Sequence, residues 1–335
     1  MTKSEELERL FAEYKSLGID QQIDYDKFYL YSIITHSTAI EGSTVTEIEN
    51  QLLFEQGITA SGRTIAEQMM NLDLKAAYER CQEYVSKGAD ITIELLKDLA
   101  SLVMWNTGIT YKTALGEFSS AKGDLRLLNV TAGVGGRSYM SYAKVPSRLK
   151  EYCDDLNLQR KKVGRKSIIE KYEMSFDAHY NLVTIHPWAD GNGRMARLIM
   201  NMLQFECGLI PAKILKEDKA EYIKALIETR ESENLDNFRD FMMGVMIKNL
   251  KMDIKEFQES TEVLPTKPEK KEKSREKILR LLSENNTLTT AMLASETGIS
   301  SKAVEKHLAS LKKDGLLRRV GPDKGGHWET IPSDS

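Results

Sequence analysis

Residues 186–197 read His-Pro-Trp-Ala-Asp-Gly-Asn-Gly-Arg-Met-Ala-Arg, which gathers an imidazole, a carboxylate, two glycines and two guanidiniums in one short stretch. Pro187 disfavours helical geometry in the residue before it, so a preceding helix must stop near His186. There the ring lies beside outgoing carbonyls, a setting that favours a protonated imidazole. Asp190-Gly-Asn-Gly193 makes a tight turn whose glycines leave backbone N–H groups open. A helix starting at about Gly193 points its unpaired N–H donors back into that turn, a ready site for phosphate. Arg194 and Arg197, three apart, share one face of the first turn and reach outward from it. Asp190 is the kind of carboxylate that Mg2+ takes together with phosphate oxygens and water. Anion cradle, guanidinium clamps, metal ligand and proton acceptor together suit nucleotide phosphates attacked by a hydroxyl. Asp-Gly-Asn-Gly is also ordinary turn material, but turn chemistry accounts for neither the arginines nor the His-Pro pair.

The elements that must position this loop are helices. Before it, Ile169, Tyr172, Phe176, Tyr180 and Val183 recur in steps of three and four over 167–185. After it, Met195, Leu198, Ile199, Met202 and Phe205 form the buried stripe of 193–207. Helical periodicity also predicts helices over 4–17, 26–35, 64–86, 91–105, 146–157, 219–230 and 235–257. Thr44-Val-Thr-Glu47 fits a capping box opening another. Between 123 and 146 the period is lost, and Gly133, Gly135 and Gly136 between two extended stretches predict a β-hairpin. The fold class is therefore mainly α.

At this point the loop resembles the signature of the Fic family, H-P-F-x-(D/E)-G-N-G-R-x-x-R, with Trp188 where Phe is usual. The similarity extends over about residues 26–255 and implies a helical Fic-type core with a β-hairpin flap. It implies protein adenylyltransferase activity: AMP passes from ATP to a Tyr, Thr or Ser hydroxyl of a protein, the chain itself included. His186 would deprotonate that hydroxyl, and Asp190 would hold Mg2+ bridging the α- and β-phosphates. Backbone of Gly191 to Gly193, with Asn192, would line the anion hole, and Arg194 and Arg197 would grip the β- and γ-phosphates. The flap near Val130 to Val134 would pair with an extended target segment by strand addition. Trp188 would anchor the loop in the core.

A second segment then gains meaning. Ser37-Thr-Ala-Ile-Glu41-Gly42 alone reads as a solvated helix end closed by glycine. Beside the loop it resembles the family's inhibitory pattern, (S/T)-x-x-x-E-(G/N). Ser37 would brace the helix, and Glu41 would take Arg197 bidentately and deny it to the γ-phosphate. Inhibition in cis is the expectation, and a further reading has Glu41 position water to remove AMP from a modified target.

Composition sets the frame. The 335 residues carry a formal charge of −3, which excludes a general polycation. From Lys270 onward 13 Lys plus Arg face 9 Asp plus Glu, a local +4 against −7 elsewhere. The expected organisation is a helical segment over 1–25, a catalytic domain over 26–260, a linker over 261–274 and a winged helix-turn-helix over 275–335. In the last, Thr290 and Ser300 or Ser301 are N-caps, Gly298 and Gly315 are stops, and Val304, Leu308 and Leu311 face inward. Lys302, Lys306, Lys312 and Lys313 would lie outside with Arg318 and Arg319 at the wing. Such a face suits phosphate backbone, yet Glu305 interrupts it and base-reading side chains are lacking. Nucleic acid and protein both remain open as its partner.

Cys81, Cys153 and Cys207 form no metal or disulfide pattern and read as small core residues. His179 reads as a core histidine, and Tyr222 and Leu226 as core or as the lining of an adenine pocket. The N-terminus lacks signal-peptide character and no membrane span stands out, so a cytoplasmic protein is expected. Two other functions stay open. One is a DNA-binding transcriptional regulator whose core senses nucleotide, against which an intact His186 speaks. The other is transfer of a different phosphate-linked group. The oligomeric state is not legible, a homodimer included.

Overall fold

The computed structural model describes residues 1–132, 137–262, 274–297, 299–321 and 326–331. Contacts divide the chain into two compact units, Met1–Gln258 and Glu259–Ser335.

The first unit is helical: α1 (Lys3–Ser16), α2 (Tyr25–Ile40), α3 (Glu47–Gln56), α4 (Ile65–Ser86), α5 (Ile93–Val103), α6 (Val145–Arg160), α7 (Ile168–Ile185), α8 (Asn192–Glu206) and α9 (Lys219–Ser232). A further helix, α10 (Asp236–Glu262), follows. Polar side chains start these helices. Thr2 with Glu5, Thr46 with Glu49, Thr64 with Glu67 and Ser167 with Glu170 make reciprocal capping boxes. The box expected at Thr44 is thus displaced to Thr46. Glu47 turns instead to Ser32 and His36, while Thr44 gives its N–H and hydroxyl to Glu67 at 2.7 and 2.6 Å.

Helices α7 and α8 pack most extensively on each other, with α4 and α5 against α8. Every residue of α8 from Arg194 to Gln204 is buried, not one stripe of it. A helix enclosed on all sides holds its ends rigidly, and the loop at its start inherits that rigidity. Leu7, Leu10 and Tyr14 of α1 join the same core, so the 1–25 segment packs as part of this unit.

Among the described residues, a regular hairpin lies where none was expected. β1 (Thr110–Thr113) and β2 (Gly116–Ser119) pair antiparallel, with Tyr111 stacked on Phe118 at 4.9 Å. Over 123–146 the pairing among the described residues is an isolated Thr131–Ser138 bridge. It is flanked by Ala132 N–H to Arg137 O and Tyr139 N–H to Val130 O, at 3.1 and 3.0 Å. Val134 and the three glycines of the expected tip fall outside the described residues.

The second unit contains α11 (Ser274–Glu284), α12 (Thr290–Thr297), α13 (Ser301–Lys313) and an antiparallel pair, β3 (Leu317–Val320) with β4 (His327–Thr330). Ile278, Leu282, Leu293, Val304, Leu308, Leu311 and Leu317 form its core. This is a winged helix-turn-helix. Ser300 caps α13 as expected, but the α12 cap is Thr289, whose hydroxyl accepts the Met292 N–H. Gly315 takes φ 71° after α13; Gly298 and most of the linker, 263–273, lie outside the described residues.

Candidate active site

His186 ends α7 in the left-handed region, at φ 52°. Its Nδ1 lies 3.2 Å from the Val183 carbonyl. A carbonyl only accepts, so that contact places the proton on Nδ1 and leaves the Nε2 lone pair available. The helix-end setting was expected to favour a charged ring. The structure corrects this: burial pushes the His186 pKa down to about 4, against the help of the Val183 carbonyl, with Arg126 and Arg230 pushing the same way as burial. Desolvation outweighs the helix terminus here. The imidazole is a neutral acceptor at physiological pH.

The loop after it is tied from inside. Trp188 is 1% exposed and donates from Nε1 to the Gly123 carbonyl at 3.1 Å. Asn192 closes the turn in both directions, Oδ1 accepting the Trp188 N–H at 3.1 Å and Nδ2 donating to the Trp188 carbonyl at 2.9 Å. The Asn192 side chain therefore shapes the loop and does not face an anion. Gly191 has φ 80°, and a Cβ there would stand 2.9 Å from the Met104 sulfur, so both backbone and space demand glycine. Asp190 is exposed, and its Oδ1 accepts the Gly191 N–H at 2.6 Å.

The two arginines do not share a task, nor do they reach outward; both are 3% exposed. Arg194 donates to the Val103 carbonyl at 3.1 Å and the Met104 sulfur at 2.9 Å, and its Nε has no partner. Arg197 turns toward α2: Nε donates to the Ser37 hydroxyl at 2.9 Å, and Nη2 to the Ser37 carbonyl at 3.0 Å and Glu41 Oε1 at 2.6 Å. Ser37 thus binds Arg197 itself, and Glu41 takes the guanidinium through one oxygen rather than two. Burial pushes the Glu41 carboxyl up, but the charge and hydrogen bond of Arg197, with Arg194 and Lys219 beyond, hold it below the usual range. Gly42 closes the motif at φ 108°.

One distance defines the pocket's state. A Cβ on Gly193 would lie 2.8 Å from Glu41 Oε1. The Glu41 carboxylate therefore sits on the first turn of α8, where unpaired N–H groups attract an anion.

Three side chains at the site were not singled out from sequence. Arg126, 1% exposed, donates from Nε to the His186 carbonyl and from Nη1 to the Leu128 carbonyl, both at 2.7 Å, and from Nη2 to the Met140 carbonyl. Tyr139 stacks on His186 and Arg230 lies against Tyr139. A lone arginine in an apolar run, Leu125-Arg-Leu-Leu128, was the available signal for the first. His179 is fully buried, with Nε2 2.9 Å from the Tyr222 hydroxyl and Nδ1 unpartnered. Tyr222 is core, and Leu226 is a partly buried residue packed on that core. Among the described residues no three metal-binding side chains cluster.

Residues 90–204 match the Fic/DOC family, and residues 271–318 match winged helix-turn-helix DNA-binding domains. Those two stretches thus resemble a Fic domain followed by a winged helix-turn-helix. It is 27% identical to the protein adenylyltransferase fic-1 of Caenorhabditis elegans over 222 residues, 66% of this chain and 39% of that protein. Two solved structures share the fold. A Fic domain containing signaling protein from Bacteroides thetaiotaomicron superposes with TM-score 0.62 at 22% identity, covering 76% of this chain and 97% of that one. A Fic family protein from Desulfovibrio desulfuricans G20 has TM-score 0.63 at 17% identity, covering 99% and 96%.

Proposed function

We propose that the chain is a protein adenylyltransferase, held off in cis by Glu41. The observation that carries this is a neutral imidazole and a carboxylate-filled anion cradle at the two ends of one rigid loop. His186 Nε2 takes the proton from an acceptor hydroxyl; the oxygen bonds to the α-phosphorus of ATP. The bond from that phosphorus to the bridging oxygen of the β-phosphate breaks, and pyrophosphate leaves. The first-turn N–H groups of α8 and the guanidinium of Arg197, once Glu41 leaves it, hold the phosphates in line, while Arg194, tied to Val103 and Met104, adds its charge from within the protein.

Asp190 fits Mg2+ arriving with ATP, since that ion takes one or two carboxylates and completes its shell with phosphate oxygens and water. Bound there, the ion would offset phosphate charge. Inhibition follows from occupancy: while Glu41 holds Arg197 and covers Gly193, the γ-phosphate has neither its clamp nor its cradle. ATP then binds out of line, and alignment governs the rate.

Intact-mass spectrometry of the Glu41→Gly protein after Mg·ATP tests this reading. Addition of one AMP mass, lost again in the Glu41→Gly/His186→Ala protein, is expected. Retained labelling without His186 would refute the assigned base. A different added mass would point to another phosphate-linked group. Loss of AMP from a labelled target in the presence of Glu41 alone would assign that carboxylate to removal.

For the second unit, the match to DNA-binding winged helices supports a nucleic-acid partner. The exposed lysines at 302, 306, 312 and 313 would supply phosphate contacts, whereas Arg318 is held by Glu329 at 2.5 Å. A mobility shift with random duplex DNA, lost between 50 and 200 mM salt at a rate set by the number of phosphates contacted, is the expected result. No shift at low salt leaves protein as the partner.

A further inference from the structure

The carboxylate that holds Arg197 is rooted in a sealed polar cluster. Glu41 is the C-cap of α2, and 35% of its side chain is open. Thr38, Ser43, Asn50 and Asn71 around it are at most 1% exposed. Amides and hydroxyls buried in this way cost free energy unless they pair, so their partners carry weight.

Asn71, on α4, pairs completely. Its Nδ2 donates to the Glu67 carbonyl at 2.8 Å and to the Ser43 hydroxyl at 3.2 Å. A carbonyl only accepts, which fixes the amide nitrogen on that side. Its Oδ1 accepts from the Thr38 hydroxyl at 2.7 Å and from Asn50 Nδ2 at 2.9 Å. Thr38 and Ser43 stand on either side of Glu41 in the chain. Between them the backbone turns on itself, the Thr38 carbonyl accepting the N–H of Glu41 at 3.0 Å and of Ser43 at 3.1 Å. One side chain thus grips both ends of the turn that presents the carboxylate. Asn50, on α3, braces the grip by donating also to the Thr35 hydroxyl at 2.7 Å.

We propose that Asn71 is a positioning residue for inhibition: it fixes the turn over 38–43 so that Glu41 lies on the start of α8. This rests on reading Glu41 as the inhibitory carboxylate, and Asn71 acts through that carboxylate alone. A helix end frays when its last turn loses tertiary partners. A carboxylate on a frayed turn spends less time on Arg197, and the cradle then opens to phosphate with Glu41 still in the sequence. Asn71→Asp keeps the size and an acceptor oxygen, loses the two amide N–H donors, and sets oxygen against the Glu67 carbonyl. Thr38→Val keeps the shape and removes the hydroxyl that docks on Asn71.

The test uses the full chain and two readouts. Hydrogen exchange followed by peptide mass spectrometry reports the amides of Glu41, Gly42 and Ser43. Expected is about fivefold faster exchange there in Asn71→Asp and a smaller rise in Thr38→Val. Tyr84→Phe, which loses a bond to Asp98 farther along α4, should exchange there as wild type. Unchanged exchange in both Asn71→Asp and Thr38→Val overturns the proposal, and so does an equal rise in Tyr84→Phe, which would mean general loosening of α4.

In the second readout, AMP incorporation by Asn71→Asp should exceed wild type about fivefold and stay below Glu41→Gly. The Glu41→Gly/Asn71→Asp protein should match Glu41→Gly, because the carboxylate that Asn71 positions is gone. A merely destabilised fold would lower both rates instead. Incorporation by Asn71→Asp at the wild-type level while Glu41→Gly is active overturns the proposal, as does any further rise in the double variant. If no variant incorporates AMP while exchange changes as stated, adenylyl transfer fails and the hold of Asn71 on the Glu41 turn stands.

Discussion

Arg197 reaches Glu41 through one oxygen at 2.6 Å and Ser37 through two contacts at 2.9 and 3.0 Å. The end of α2 thus holds the guanidinium at two residues, and only one of them is the carboxylate. Glu41→Gly removes the anion that covers Gly193, so it should raise AMP incorporation at least tenfold. Ser37→Ala leaves the carboxylate in place and removes one charge-assisted bond, worth about 1.5–3 kcal/mol. It should give a rise that is real but smaller, and it should add little to Glu41→Gly. Incorporation of label from α-phosphate-labelled ATP, measured on all three proteins, checks this. A Ser37→Ala protein as active as Glu41→Gly would make the serine, not the carboxylate, the principal restraint.

The imidazole is pushed down to about 4 by burial, then by Arg126 and Arg230. Only the neutral ring accepts a proton, so the rate of the Glu41→Gly enzyme should fall as pH drops through about 4 and hold level from there to neutrality. An exposed histidine would give an acid limb near 6.5. The kcat/KM profile distinguishes them, and a midpoint near 6.5 would contradict the burial of the ring.

Much of this site was legible in twelve residues, because glycine, proline and histidine each impose a local geometry that needs no tertiary knowledge. The turn, the helix break at His186 and the new helix all follow from Pro187, Gly191 and Gly193. Side-chain direction does not. Arg194 and Arg197 read as outward-reaching because their surroundings were unknown; α8 is enclosed on every side, so even its arginines point into protein. Arg126 left only a faint signal, a lone charge in an apolar run, for a related reason. Its partners are carbonyls of His186, Leu128 and Met140, and a carbonyl carries no residue signature. The charge of His186 went astray because the helix terminus is read from sequence while burial is not. The expected pairing within 123–146 is present, as 130–132 against 137–139, but a second hairpin, Thr110–Ser119, was missed because its strands of four mostly polar residues give little period-2 signal, while its Tyr111–Phe118 stacking is a cross-strand contact.

His179 supplies a stability test independent of activity. Burial, with a smaller contribution from Arg197, holds its pKa down to about 3 in the folded state. The unfolded chain binds a proton near pH 6.5, so it carries more protons than the fold between about 3 and 6.5. Stability is complete above 6.5 and is lost as pH falls, by up to about 1.4 kcal/mol per pH unit for this group. His179→Gln should flatten that slope by about one proton between pH 4 and 6, read from denaturant midpoints across the range. An unchanged slope would mean the ring is already charged in the fold.

Trp188 donates to the Gly123 carbonyl from a nearly sealed position. Phenylalanine fills most of that space and cannot donate. Trp188→Phe should therefore cost about 1–3 kcal/mol, the range for leaving a buried acceptor unpaired. It should leave the Glu41→Gly transfer rate within a few-fold. Calorimetry and the AMP assay together decide this; a large fall in rate with unchanged stability would place the indole in the chemistry.

Arg126 joins the end of α7 to the 123–146 segment. Its backbone N–H donates to the Pro187 carbonyl at 3.0 Å, and its guanidinium spans the carbonyls of His186, Leu128 and Met140. Lysine keeps the charge but offers a compact ammonium, which cannot span three carbonyls fixed by a planar fork. In Arg126→Lys at least one buried carbonyl loses its donor, at about 1–3 kcal/mol. The arm that bears Tyr139 and the end of α7 should then move independently. The expected outcome in the Glu41→Gly background is a loss of kcat larger than any change in the KM for ATP, because the proposed phosphate cradle, at the start of α8, is the other end of the loop. Steady-state kinetics with varied ATP separates the two, and a rise in KM with kcat intact would show that Arg126 serves the nucleotide side instead.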